Sequence, residues 1–189
     1  MRNDQEMDVL IAHCRSRLIK LTTSLLCAVL LCASASAQTE QLRDLAGRLE
    51  YGFYAADTRA LQQDLQTLMT LEAEASDARL RDQHLVYARW KLSELLMRSD
   101  PVRAAELAEV CANVRPDLAD VQVALQHAVR AACATMLEKL RPVRGVLYRR
   151  EREAALLQAR KLGSKLPQVQ LVESWVKVAM ITISPALMW

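Results

Sequence analysis

The sequence has few of the residues that interrupt helices or build sheets. Its 189 residues include only four glycines, five prolines and one phenylalanine, whereas alanine, leucine, arginine and glutamine are abundant. It also lacks runs of alternating β-branched residues between Asn-Gly or Asp-Gly turns, the pattern typical of β-hairpins. Because the abundant residues all favour helix, the composition predicts an all-α protein.

Short catalytic motifs are absent as well. The chain has no G-x-G-x-x-G, P-loop, G-x-S-x-G, H-E-x-x-H or C-x-x-C sequence. Each of its two later histidines, His84 and His127, is followed four residues on by an alanine, so neither has a second metal ligand there on its helical face. We therefore predict no metal, no cofactor and no catalytic residue. An enzyme whose site is assembled from residues far apart in the chain is the third-ranked alternative.

The first 37 residues have the organisation of a signal peptide. Basic residues precede the apolar run Leu21–Ala33, and small residues lead up to Ala37. The apolar run is shorter than the roughly 20 residues that a membrane-spanning helix needs. We predict cleavage after about Ala37 and export to the periplasm or the exterior, which leaves a single domain over 38–189. An uncleaved signal anchor in the inner membrane is the alternative.

The clearest pattern in the remaining chain lies in 85–118, where two helices meet at a short turn. Asp100 can cap free N–H groups, and Pro101 suits the first position of the second helix. The second helix carries small residues at Ala104, Ala108 and Cys111, which would let two backbones approach closely. Pro116 then closes the unit, so we predict an αα-hairpin.

This unit resembles a tetratricopeptide repeat, a helix–turn–helix of about 34 residues. Pro116 takes the place of the closing proline, and a weaker copy lies near 148–167. The resemblance implies a short solenoid of stacked hairpins whose groove holds a protein or peptide segment, and hence an exported binding module without catalysis. Tyr87 and Trp90 are the candidate partner-binding residues on the first helix. For Trp90, a plain role in the core is the alternative.

Helical periodicity extends this interpretation to the whole mature chain. The fifth helix is apolar on nearly all sides and should be the most buried, and Gly163 is expected to end the sixth as a C-terminal glycine. The predicted helices span 38–54, 58–75 (capped by Asp57 or Thr58), 77–98, 101–114, 117–138, 148–162 and 167–183.

Two cysteines remain after cleavage, Cys111 and Cys133. An oxidising compartment would permit a disulfide between them. If the helices meet in a tight turn at Pro116, however, the cysteines lie at different heights, with a mismatch of roughly 20 Å along the helix axes. We therefore expect both to be small core residues without a bridge.

Positive charge is concentrated in 139–165, with nine Lys or Arg against two Glu, or +7. The rest of the mature chain has 12 basic and 17 acidic residues, or −5. Arg149, Arg150 and Arg152 are the candidates for an anion-binding patch that meets lipid headgroups, an acidic peptide or nucleic acid. Nucleic acid is an unexpected partner for an exported protein, and a solvated helix face is the simpler interpretation.

The chain ends in an apolar stretch, from Trp175 to Trp189. Such an end must pack on the domain, meet a partner or promote aggregation. We hypothesise that the chain is a shortened form of a longer repeat protein. Together with the basic segment, it supports the alternative function, a peripheral envelope protein associated with the membrane.

Overall fold

The computed structural model describes residues 39–72, 75–115 and 123–182. The predicted signal peptide, the turn at Pro116 and the C-terminal stretch from residue 183 lie outside these ranges. The described residues contain helices and no strand, so the all-α prediction is confirmed. We number the helices α1 (39–54), α2 (Thr58–Thr70), α3 (Ala75–Leu96), α4 (Pro101–Asn113), α5 (Ala124–Leu140), α6 (Gly145–Gly163) and α7 (Pro167–Thr182).

Two helices start where aspartates cap them. The Asp57 carboxylate accepts a hydrogen bond from the Ala60 N–H at 2.9 Å, and the Asp100 carboxylate accepts one from the Arg103 N–H at 3.0 Å. Pro101 occupies the first turn of α4. Both starts agree with the prediction, because a cap depends only on residues within one turn of each other.

Several boundaries differ by one or two residues from the prediction, and the end of α2 and the start of α6 differ by more. Helix α2 ends at Thr70 because Leu71 adopts an extended conformation. Helix α5 is described from Ala124, and its predicted start at Asp117 lies outside the described residues. Helix α6 begins at Gly145, directly after a 3₁₀ turn over Pro142–Arg144, so the break in the chain is shorter than predicted.

Helix α5 is the centre of the compact unit Leu42–Trp189, and it contacts α3, α4, α6 and α7. Eleven of its seventeen residues are buried, many of them alanines. A second apolar cluster joins α1, α2, α3 and α4. The prediction that this helix is the most buried is therefore correct, since it packs on four neighbours rather than on one side.

Small residues bring α4 close to its neighbours. Ala104, Ala108 and Cys111 are all fully buried. Ala104 belongs to the cluster with α1 and α2, while Ala108 and Cys111 belong to the cluster around α5. The buried Ser93 hydroxyl of α3 donates a hydrogen bond to the Ala104 carbonyl at 2.7 Å. Helices α3 and α4 thus pack closely, as the small residues predicted.

The two cysteines form a disulfide, so the prediction of free thiols was wrong. Their Cα atoms lie 6.1 Å apart. The predicted mismatch assumed that α5 began immediately after Pro116. Because α5 begins at Ala124, Cys133 lies much nearer to the start of its helix. Helix α5 packs along α4 so that Cys133 lies level with Cys111.

Gly163 is the last residue of α6, but it does not end the helix as a left-handed glycine. No described glycine has a positive φ. A Cβ atom at Gly163 would lie 2.8 Å from the Ala124 Cβ and 2.7 Å from the Leu166 Cδ1. The glycine therefore provides space, because the end of α6 closely approaches the start of α5.

Among the described helices, none combines the length and the apolar character needed to cross a membrane.

Candidate functional site: an apolar groove between α1, α3, α5 and α7

A groove of about 500 Å³ opens between four helices. Its buried lining includes Val86 of α3, Val129 of α5 and Val172 of α7. Other apolar side chains around it are exposed, notably Leu171 and Val178 of α7. The groove therefore has a core-like interior and an apolar surface that faces water.

Three aromatic side chains line this groove in a row. The ring of Trp90 meets that of Tyr87 edge-on at 5.6 Å between centroids, and that of Trp175 at 5.2 Å. Trp90 is only 3% exposed, and its buried Nε1 has no hydrogen-bond partner within the described residues. Trp90 is therefore a core residue that also forms part of the groove wall. Both predicted roles, core packing and a place at the candidate binding site, apply to it.

Two glutamates hold the outer rings of this row in place. The Trp175 Nε1 donates to the Glu94 Oε1 at 2.9 Å, and the Tyr87 hydroxyl donates to the Glu50 Oε1 at 2.8 Å. Burial, followed by the interaction with Glu50, raises the pKa of Tyr87. The phenol therefore stays protonated at neutral pH and remains a hydrogen-bond donor.

The positive charge of Lys91 lies over two aromatic rings beside the groove. Its Nζ lies 3.8 Å from the centroid of the Phe53 ring and 3.9 Å from that of Trp90, and 3.5 Å from the Glu94 Oε2. Burial lowers the pKa of Lys91, and Glu94 partly opposes this shift. These contacts hold α1 and α3 together by cation–π attraction.

His84 also lines the groove and is half-buried. Burial lowers its pKa below the usual value, so its imidazole is neutral at pH 7. Within the described ranges, no group of three or more His, Cys, Asp or Glu side chains is arranged to hold a metal ion. The groove thus combines an apolar interior with two aromatic side chains whose polar edges donate hydrogen bonds to glutamates.

Comparison with protein-family models, curated proteins and solved structures finds no match to this chain. Its function must therefore be argued from its own geometry.

The predicted arginine cluster lies on α6 and contributes nothing to the lining of the groove. Arg152 is only 7% exposed, and its guanidinium pairs with Glu138 of α5. The Arg149 Nε and Nη2 also bind Glu138, at 3.0 and 2.9 Å. Arg150 is exposed. The expected patch of three free arginines therefore keeps only Arg150.

Acidic residues from other helices neutralise more of the basic segment. Arg141 pairs with Glu109 of α4 at 2.8 Å, and Arg160 pairs with Glu173 of α7 at 3.1 Å. Neither of these glutamates belongs to the segment 139–165, so the count of +7 along the sequence overstated the local charge.

Of the predicted partner-binding residues, Tyr87 and Trp90 line the groove, but its α7 side was not among them. Trp175, Leu171 and Val178 come from α7. A signal was available, because these three positions share one helical face, distinct from the face that carries Val172 and Val176. A helix with two apolar faces can pack one of them on its own domain, and the other remains available to line a groove.

Proposed function

We propose that this domain binds a protein or peptide segment in the groove, through apolar side chains of the segment. The observation that carries the proposal is the exposed apolar surface of α7 beside an aromatic wall that is already in place. Leu171 is 70% exposed and Val178 is 58% exposed. Contiguous exposed apolar side chains next to a cavity are typical of interaction sites.

The wall of the groove is organised before any partner arrives. Trp90 and Trp175 pack against each other, Glu94 accepts a hydrogen bond from the edge of Trp175, and the Lys91 ammonium lies over the face of the Trp90 ring. Rings fixed in advance lose little conformational entropy on binding, which favours affinity. In this proposal Tyr87 and Trp175 supply rigid contact area and the buried Trp90 packs behind them, and the mechanism is binding without catalysis.

The proposed site of action is the periplasm or the exterior. A buried disulfide is consistent with an oxidising compartment, and the N-terminal signal sequence points the same way. The interpretation of α3 and α4 as a tetratricopeptide-like hairpin belongs to the same proposal, and the buried Ala104 and Ala108 support it.

The test uses the exported protein and a displayed peptide library. Selected peptides are synthesised, and their affinities are measured by calorimetry for the wild type, Leu171→Glu and Val178→Glu. Val102→Glu is the matched control, because Val102 is also 70% exposed but lies on α4, outside the groove. We expect peptides rich in apolar residues to lose at least tenfold in affinity for the groove variants and to bind the control normally.

Tryptophan fluorescence adds a second measurement. Trp90 and Trp175 both line the groove, so a bound peptide should shift their emission. Equal affinity for all three variants, or selection of no apolar peptide, would contradict the proposal.

A further inference from the structure

The outer side of α6 is unusual for a surface helix. Its inner side buries Tyr148, Arg152, Ala155 and Ala159 against the domain. At 100° per residue, a continuous arc on the opposite side carries six exposed residues. They are Val146, Leu147, Arg150, Ala154, Leu157 and Lys161, and we call them the outer face of α6.

This outer face is apolar and basic, and the acid nearest to it is Glu153, which is exposed at its edge beside Val146 and Leu157 with a carboxylate 3.7 Å from the Arg152 Nη2. Val146, Leu147 and Leu157 are each more than half exposed. The solvent side of an amphipathic helix normally carries polar and charged residues of both signs. Val143, in the turn just before α6, is 100% exposed and extends the apolar character.

The two positive charges of the outer face are free, unlike their neighbours at its edges. Arg149 and Arg160 are paired with glutamates of α5 and α7. Arg150 and Lys161 have no carboxylate within ion-pair distance among the described residues. The fold therefore neutralises the flanking cations and leaves two unpaired cations among exposed apolar side chains.

We propose that the outer face of α6 docks on an anionic lipid surface. Apolar side chains would enter the boundary between headgroups and acyl chains, while Arg150 and Lys161 would extend along their own stems to lipid phosphates. The helix of 19 residues is about 28 Å long and presents this face along its length. The proposal goes beyond the groove and does not depend on it.

A bilayer suits this face better than an acidic protein partner. The two basic residues lie between apolar residues within one arc, so the partner must offer anions directly beside apolar volume. The interface of a bilayer has this arrangement everywhere. An acidic protein would instead bury each cation in a contact that must be matched residue by residue.

The test measures sedimentation of the exported protein with vesicles. One set contains phosphatidylglycerol and phosphatidylethanolamine, and the other contains only phosphatidylcholine. We expect binding to the anionic set to exceed binding to the neutral set at least tenfold, and to fall at least fivefold when NaCl is raised from 0.1 to 0.5 M.

Two variants test the face itself. Arg150→Ser with Lys161→Ser removes the free cations, and Leu147→Ser with Leu157→Ser removes apolar contacts. Each should weaken vesicle binding at least fivefold. Arg43→Ser with Arg59→Ser removes two exposed cations from α1 and α2 and is the matched control, expected to bind as the wild type does.

Leu171→Glu separates this proposal from the groove, because it should leave vesicle binding unchanged. Absence of binding to anionic vesicles, or equal binding by the control and the α6 variants, would overturn the proposal. Binding of poly-glutamate in place of vesicles would also overturn it, since it would assign the face to an acidic protein partner.

Discussion

At the scale of single residues, two buried nitrogen atoms are informative because they lack a hydrogen-bond partner within the described residues. They are the Trp90 Nε1 and the Lys139 Nζ. Burying a polar group without a partner costs free energy, and for a charged group the cost is reduced by losing the proton. Burial accordingly lowers the pKa of Lys139 from 10.5 to about 8.

Lys139 should therefore make folding depend on pH. Below pH 8 the folded protein holds a poorly solvated charge that the unfolded chain hydrates fully. Between pH 8 and 10.5 the unfolded chain binds more protons than the folded one, so stability rises with pH. Lys139→Met should remove this rise and stabilise the protein at pH 7 by about 1 kcal/mol, a value discounted for the partial exposure of the side chain.

Urea denaturation at pH 7 and pH 10 measures this effect. The exposed Lys177 of α7 is the control, and Lys177→Met should change neither the stability nor its pH dependence. A wild type and a Lys139→Met variant with parallel pH profiles would show that the Lys139 ammonium is well solvated.

Replacing each of two helical glycines by alanine should change the free energy of unfolding in opposite directions. An added Cβ at Gly163 meets Ala124 and Leu166, whereas at Gly47 it meets nothing within 4 Å. Gly163→Ala should cost about 1–3 kcal/mol by overpacking, and Gly47→Ala should gain about 0.5–1 kcal/mol through helix propensity. Unfolding free energies of the two variants measure this, and a gain for both would mean that α6 and α5 can move apart freely.

At the scale of elements, a covalent bond reinforces the packing of α4 on α5. The disulfide joins residues 22 apart in sequence. Closing a loop of that length should stabilise the fold by about 3 kcal/mol. Thermal unfolding of the oxidised protein with and without reductant should show a clearly lower midpoint in the reduced sample. Thiol titration of the denatured, unreduced protein should find neither Cys111 nor Cys133 free.

Close packing of α4 gives a second prediction at this scale. Ala108 is fully buried among residues of α5, so Ala108→Arg would insert a large unpaired charge there. We expect a loss of about 3–5 kcal/mol or a failure to fold. Val110 is exposed on the same helix, and Val110→Arg should leave the melting temperature nearly unchanged. Similar melting temperatures for both variants would mean that α4 is rotated about its axis.

At the scale of the whole molecule, the groove requires four helices that are far apart in the chain. Its walls come from α1, α3, α5 and α7, and the hydrogen bond from Trp175 to Glu94 joins residues 81 apart. If the groove is a free surface, its exposed residues should be unnecessary for folding. We expect Leu171→Glu and Val178→Glu to shift the unfolding free energy by no more than about 0.5 kcal/mol.

Circular dichroism during urea denaturation measures this shift. A large loss of stability in either variant would place Leu171 or Val178 in the core, and the loss of peptide binding could then be attributed to unfolding. Normal stability with lost binding separates the two cases.

The sequence by itself determined the features of this protein that depend on neighbouring residues. The helical class, the starts of α2 and α4 at Asp57 and Asp100, and the burial of Ala104, Ala108 and α5 were all predicted correctly. Each depends on interactions within one or two helical turns, or on the apolar pattern of a single helix. Such interactions can be predicted from the sequence because the residues that make them are close together in the chain.

Only the tertiary structure decided how the helices are placed against each other. Three contacts join residues from different helices: the disulfide, the pairing of Arg149 and Arg152 with Glu138, and the packing of Trp90 on Trp175. Their distances depend on the length of the connections and on how far each helix is shifted along its neighbour. A shift of one turn, about 5.4 Å, would break each of these contacts, and no local pattern in the sequence specifies that shift.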